Sequence, residues 1–358
     1  MNSGGGSCYG AEVNFYQLVR PLIFALDAEQ AHQATIRLLK VLPQRKSPPF
    51  PASLRSTIAG ISFPSPIGLA AGFDKDAEVF DALLALGFGF VEVGTVTVRP
   101  QQGNPKPRLF RLVEDQAVIN RMGFNNDGQA PALERLKRGH GSAGIVGVNI
   151  GVNKDAADRI AEYAAGVRRM STVADYLTIN ISSPNTPGLR GLQEPGALRD
   201  LLAAVRDARP DNGPPVFLKV APDLGSGEPE RIVHEAVDHG VDALIVANTT
   251  VSRPPLKSRL AREGGGLSGA PLKALALQAL RDFRSASGGQ MPLIGVGGIG
   301  SAEDAWERIR AGASLVQLYS AMIYQGPAIA SRIANGLAEQ LDRAGFASIA
   351  EAVGSERS

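Results

Sequence analysis

The stretch Tyr176-Leu-Thr-Ile-Asn-Ile-Ser-Ser-Pro-Asn-Thr-Pro-Gly-Leu-Arg190 changes character after its fourth residue. Tyr176–Ile179 is apolar and β-prone, which predicts a buried strand. Asn180 and Asn185 then bring amides that both donate and accept, and Ser182 and Ser183 bring hydroxyls. Pro184, Pro187 and Gly188 set the backbone path. A strand that empties into such groups delivers chemistry to a loop mouth. Taken alone, the run reads as an ordinary polar turn, so its neighbours decide.

The same grammar recurs seven more times. Strands are expected at Pro66–Ala70, Phe90–Val93, Ile145–Asn149, Val216–Val220, Ala243–Ala247, Leu293–Val296 and Leu315–Leu318. Helical patterns follow at Ala77–Leu86, Ala156–Met170, Pro195–Ala208, Glu228–His239, Leu272–Ser285 and Ala302–Ala311, several stopped by glycine (Gly87, Gly240, Gly312). Eight βα units predict a closed (β/α)8 barrel of the α/β class, with the site at the C-terminal strand ends. All eight ends carry glycine or hydrogen-bonding side chains, as a shared site requires. Two longer excursions, 98–130 and 249–269, break the rhythm; long loops in compact domains tend to be functional.

Composition narrows the classes. With 358 residues, 44% hydrophobic and 20% charged, the chain is ordinary globular protein, and a net charge of +2 gives no footprint for nucleic acid. A lone cysteine, Cys8, excludes internal disulfides and cysteine-held clusters. The four histidines have no ligand spacing, so no metal is expected. No apolar run is long enough to span a bilayer, and residues 1–10 read as a disordered start without the order of a signal peptide.

Gly295-Val-Gly-Gly-Ile-Gly300 matches a dinucleotide-binding pattern. It falls at the seventh strand, however, and no acidic residue closes the next one to hold a ribose. In a barrel the loops after strands seven and eight often hold a phosphate, so Gly297 and Gly298 are read as a phosphate cradle.

Six ordered motifs resemble the dihydroorotate dehydrogenases, flavin enzymes of pyrimidine synthesis. They are Ala70-Ala-Gly-Phe-Asp-Lys75, Asn120-Arg-Met-Gly-Phe-Asn-Asn126, Asn180–Arg190, Leu218-Lys-Val-Ala-Pro222, Val246-Ala-Asn-Thr-Thr250 and Gly295-Val-Gly-Gly298. The base position holds Ser183 rather than cysteine and an N-terminal extension is present, so the chain is similar to the quinone-dependent class. The resemblance implies oxidation of dihydroorotate to orotate, with one FMN per chain and a membrane quinone as acceptor.

It also implies residue roles. The FMN phosphate would lie against Gly269, Gly298, Tyr319 and Ser320. The flavin ring would rest on Ala71, Gly72 and Thr95, with Asn149, Asn180, Lys219, Lys75 and Ala247 around it. Lys75 would pair with the substrate carboxylate, and Asn120, Asn180, Asn185, Asn248 and Thr249, with Arg121, Met122, Gly123 and Phe124, would enclose the substrate ring. Ser183 would be the base, with Thr186 as relay. His32, Arg111 and Tyr319 would line the quinone path. The rival from the residues alone is a Schiff-base aldolase or lyase using Lys219.

Phe15, Leu18, Val19, Leu22, Ile23 and Leu26 form a helical stripe interrupted by Pro21, which predicts a kink or second start. Asp27-Ala-Glu-Gln30 resembles a capping box ahead of a second helix. Such a pair either packs on the barrel or lies on a membrane surface; the resemblance selects peripheral association with the cytoplasmic face of the inner membrane. The expected division is a disordered 1–10, a helical extension 11–46, a barrel 47–345 and a tail 346–358, in a monomer.

Overall fold

The computed structural model describes residues 9–43, 47–139 and 144–356. Residues 1–8, Arg45, Lys46 and the side chain of Phe15 lie outside the described residues. Eight parallel strands close a barrel: β3 (Ile67–Leu69), β4 (Phe90–Val96), β7 (Ile145–Ile150), β8 (Tyr176–Asn180), β9 (Val216–Val220), β10 (Ala243–Val246), β12 (Leu293–Val296) and β13 (Ala313–Leu318). Neighbours follow chain order and β13 pairs with β3, giving the (β/α)8 architecture expected from sequence.

The barrel interior is built in layers by the two-residue period of its strands. Its floor is apolar: Phe90, Tyr176, Phe217, Ile294 and Leu315 cluster with Phe63. Phe63 belongs to the hairpin of β1 (Ser56–Ile58) and β2 (Ile61–Phe63), and its ring meets Phe90 edge-on at 5.1 Å. Gly147 makes room for this floor; a Cβ there would come within 2.1 Å of the Tyr176 ring. Two residues further along the strands, Glu92, Lys219 and Gln317 are polar yet 0–4% exposed. That change from apolar floor to polar layer positions the site.

The outer helices pack as their periodicity demands. The helix Pro195–Ala208 buries Leu198, Leu201, Leu202 and Val205, an i, i+3, i+4, i+7 set. One boundary differs from expectation. The helix predicted from Ala77 begins at Phe80, because the Asp74 carboxylate accepts from the amides of Glu78 (2.7 Å) and Val79 (2.8 Å). Ala77 takes a left-handed φ of 54° in that turn. The tail also holds a short helix, Ile349–Ala352.

The two long excursions meet each other. β5 (Leu109–Leu112) and β6 (Ala117–Asn120) from the first pair antiparallel with β11 (Gly266–Gly269) from the second. Phe110, Leu112, Ala117, Ile119 and Leu267 give this sheet its own small core. It stands as one wall over the barrel mouth.

Two helices precede the barrel. The first, α1 (Tyr9–Ala25), runs through Pro21 without a second start. Anchors on either side of the proline explain this: Tyr16 Oη donates to Ile323 O (2.6 Å), and Arg111 donates to the carbonyls of Ile23, Phe24 and Leu26. The second, α2 (Ala28–Val41), is capped by Asp27, whose carboxylate accepts from the amides of Glu29 and Gln30. Glu29 fixes α2 to the mouth wall through a buried bidentate pair with Arg108 (2.7 and 3.1 Å). Burial would raise the Glu29 pKa, but Arg108 and Lys106 together outweigh it and hold the carboxyl below its ordinary range. Among the described residues no helix is long and apolar enough to cross a membrane.

Candidate active site

A cavity opens at the C-terminal ends of the barrel strands and continues as far as α2, where His32 lines it. Every cofactor-side residue expected from the sequence lines it except Asn149, and every substrate-side residue except Arg121. Ser183 lines it too. Of the quinone trio, His32 and Tyr319 line the cavity and Arg111 does not.

The three exceptions have clear positions. Asn149 lies one level down, fully buried, and acts through its neighbours. Arg121 turns aside to Glu263 (2.8 Å) and stacks over Phe110 at 4.5 Å. Arg111 occupies the end of α1, over the Phe24 ring at 4.7 Å, where a cation meets the unsatisfied carbonyls of a helix C-terminus.

Amides and hydroxyls form one connected wall. Asn180 Nδ2 donates to Asn149 Oδ1 (3.0 Å) and to Thr95 Oγ1 (3.1 Å). Its Oδ1 accepts from Ser182 Oγ (2.9 Å), which in turn accepts from Asn248 Nδ2 (2.8 Å). Across the cavity mouth, Asn185 Nδ2 donates to Asn120 Oδ1 (3.2 Å). Ser183, 7% exposed, accepts the Asn185 amide at 3.2 Å in a tight hydroxyl turn that fixes its Oγ. Thr186, three residues on, keeps a buried Oγ with no partner among the described residues.

Two lysines give the cavity its charge. Among the described residues Lys75 Nζ donates only to the Gly72 carbonyl (2.6 Å), and burial draws its pKa down to about 8. A cation that lacks a carboxylate in contact and lines a cavity suits an anionic ligand. Lys219 is 4% exposed; burial lowers its pKa and Glu92, 3.9 Å away, opposes that.

The far end of the cavity is glycine-rich. Gly269, Gly297 and Gly298 all have positive φ, and a Cβ on Gly298 would strike the Lys273 backbone at 2.5 Å. The amides of Gly297, Gly298 and Ile299 donate to no group among the described residues. Free amides along a side-chain-free loop fit a phosphate. Arg308, 1% exposed, braces the loop from behind through Gly297 O (2.9 Å) and Lys273 O (2.7 Å).

Comparisons with known proteins agree with this geometry. The family profile described as "Dihydroorotate dehydrogenase" matches residues 53–341. The chain belongs to the dihydroorotate dehydrogenase family. It is 62% identical to "Dihydroorotate dehydrogenase (quinone)" of Erythrobacter litoralis, over 95% of this chain and 99% of that one. It is 61% identical to the protein of that description from Novosphingobium aromaticivorans, over 95% and 99%. Among solved structures, that of the Eimeria tenella dihydroorotate dehydrogenase with ferulenol superposes with a TM-score of 0.88 at 40% identity, over 93% of this chain and 98% of that one. These relatives place the chain in the quinone-dependent class, and the family implies a flavin cofactor.

Within that family site, sequence reasoning missed three residues. Arg190 was quoted without a role; its guanidinium binds Ser182 O, Thr249 O and Asp223 (2.9–3.0 Å) and locks the serine loop to the loop after β10. Arg308 and Glu92 escaped notice because nothing in their own segments marks them. The one available signal for Glu92 was an acid at an inward position of a buried strand.

The edge toward α2 is aromatic. His32 meets Phe73 edge-on at 5.1 Å, and Phe73 meets Tyr319 at 5.7 Å. Burial, with Lys75 nearby, draws the His32 pKa down to about 3, so the ring is neutral. Outside, α1, α2 and the residues that end them carry six of the nine large apolar side chains exposed among the described residues: Leu18, Leu22, Leu38 and Val41 on the helices, and Leu26 and Leu42 just past their ends. The expected stripe therefore divides, with Leu18 and Leu22 facing outward and Val19 and Ile23 partly covered.

Proposed function

We propose that this chain oxidises dihydroorotate to orotate in pyrimidine synthesis with Ser183 as base and FMN as its flavin, and delivers the electrons to a membrane quinone. Dihydroorotate oxidation and quinone dependence are the activity of its class. The observation that carries the residue assignment is Ser183 fixed at the cavity wall between paired asparagines, with the unpaired Lys75 cation lining the same space. When bound, the flavin supplies acceptance of a hydride from substrate carbon 6.

The chain's own residues do the rest. Lys75 takes the substrate carboxylate. Asn120, Asn180, Asn185 and Asn248 offer donors and acceptors to the amide edges of the ring. Ser183 removes the proton from carbon 5, and the unpartnered hydroxyl of Thr186 receives it onward. Gly269, Gly298 and Ser320 hold the FMN phosphate. Lys219, beneath the ring, favours negative charge on it.

His32 and Tyr319 border the quinone path, and Arg111 holds the end of α1 in place beside it. The exposed leucines of α1 and α2 rest in the lipid headgroup region on the cytoplasmic face of the inner membrane, one copy at a time. The Schiff-base rival would need Lys219 free to attack a carbonyl; here it lies inward against Glu92.

The test is an anaerobic titration of the purified protein with dihydroorotate. Loss of the flavin colour, with recovery on adding quinone and none on adding NAD⁺ or fumarate, is expected. A colourless protein trapped by borohydride and substrate would overturn the reading.

A further inference from the structure

Glu92 touches no wall of the cavity, yet its carboxylate is the hub beneath it. It is 0% exposed and accepts from Asn149 Nδ2 (2.7 Å), Gln317 Nε2 (2.8 Å) and Tyr176 Oη (3.2 Å), with Lys219 Nζ at 3.9 Å. These partners come from four other barrel strands: β7, β13, β8 and β9.

The chemistry of a carboxylate is one-sided: it only accepts. The Asn149 amide must therefore turn its NH2 toward Glu92, which turns its Oδ1 toward Thr95 and Asn180. Thr95 Oγ1 donates there at 2.6 Å, and Asn180 is obliged to present its NH2. Asn180 Oδ1 is then left facing Ser182 and Asn248. One acceptor at the bottom fixes which end of each amide is available at the top. Asn amides are otherwise free to flip, at the cost of a buried unpaired group.

Among the described residues the same carboxylate is the one acid within ion-pair distance of Lys219, at 3.9 Å. A lysine buried to this degree sheds its proton unless an anion holds it: burial lowers the Lys219 pKa, and the Glu92 carboxylate opposes that.

We propose that Glu92 is a positioning residue: it sets the donor–acceptor polarity of the Asn149–Asn180–Asn248 wall and keeps Lys219 charged beneath the flavin. The proposal rests on the flavin placement given above. Removing the charge of Glu92 leaves Lys219 buried without an anion. The lysine then becomes neutral, the site loses its positive field, and the bound flavin becomes harder to reduce. At the same time the Asn149 amide is no longer tied, and the amides that read the substrate ring lose their fixed sense.

The experiment measures the flavin midpoint potential and the orotate dissociation constant in the flavin-loaded wild type, Glu92→Gln and Tyr176→Phe. Glu92→Gln should lower the potential and weaken orotate about tenfold, the worth of one hydrogen bond at the top of the wall. Tyr176→Phe removes a donor to the same carboxylate but leaves the charge, so it should lower the melting temperature without moving the potential. Equal potentials in Glu92→Gln and wild type, or equal shifts in both variants, would overturn the proposal.

If Glu92→Gln does not fold, the double variant Glu92→Gln/Lys219→Met decides. Removing both charges should restore folding, because the single variant fails through an unpaired lysine. A double variant no more stable than the single one would overturn the proposal. A wild type that binds no flavin would overturn the functional reading and this proposal together, whereas a wild type reduced by dihydroorotate leaves only Glu92 at stake.

Discussion

The barrel mouth and the α1–α2 pair are joined by one cavity but built on opposite rules. At the mouth, polar groups hold one another: Asn149, Asn180, Ser182 and Asn248 form an unbroken chain, and Arg190 ties two loops together. The helix pair is held mainly by contacts to backbone carbonyls and by the Glu29–Arg108 pair, and it leaves leucines in the open. Proton and hydride transfer require groups fixed to within a fraction of an ångström, which polar networks provide. Meeting a quinone dissolved in lipid requires an apolar face left uncovered. The chemistry of substrate should therefore be sensitive to single atoms of the mouth and indifferent to the helices.

The largest effect should come from Ser183→Ala. Loss of a positioned base typically costs ~10²–10⁴ in rate, so stopped-flow reduction of the flavin by dihydroorotate should slow by that factor while orotate still binds. Reduction at the wild-type rate would mean another group is the base, and the fixed mouth would lose its centre.

On the other side of the comparison, Leu18→Ser with Leu22→Ser should lower partitioning to anionic vesicles ~10²–10⁴-fold, since each leucine contributes about 1.5–3 kcal/mol when buried. Flavin reduction by substrate should not change. Vesicle binding equal to wild type would remove these leucines from the membrane contact.

Lys75 offers a pH test confined to the mouth. Its free-state pKa lies near 8, so a rising fraction is neutral above that pH and the carboxylate partner is lost. Orotate affinity should fall about tenfold per pH unit above pH 8 and be flat below it. Lys75→Met should bind weakly and without that break; a break of the same size in the variant would assign it to another group. Smallest of all, Asn120→Ala should weaken orotate about tenfold, one hydrogen bond to the ring, with quinone reoxidation unaltered.

Much of the mouth is legible in the sequence because a strand ending in polar groups repeats eight times, and each repeat carries its own evidence. Asn180–Arg190, Lys219 and the glycines at 297–298 are examples of local signals that survive folding. What could not be read is what depends on partners far apart in the chain. The mouth wall pairs Val118 with Ser268, and Glu92 gains its meaning from four other strands. The helix pair shows the converse. Its stripe was evident, but periodicity alone does not divide it into the outward Leu18 and Leu22 and the partly covered Val19 and Ile23. Arg111, assigned to the quinone path through family resemblance, has its guanidinium committed to the carbonyls at the end of α1.

The separation of mouth from helices is tested most directly by deleting residues 1–46 and following both half-reactions in a single anaerobic experiment. Dihydroorotate should reduce the flavin of the truncated and full-length proteins at the same rate, and a long-chain quinone should then reoxidise only the full-length protein. Quinone reoxidation at an undiminished rate in the truncated protein would contradict the account.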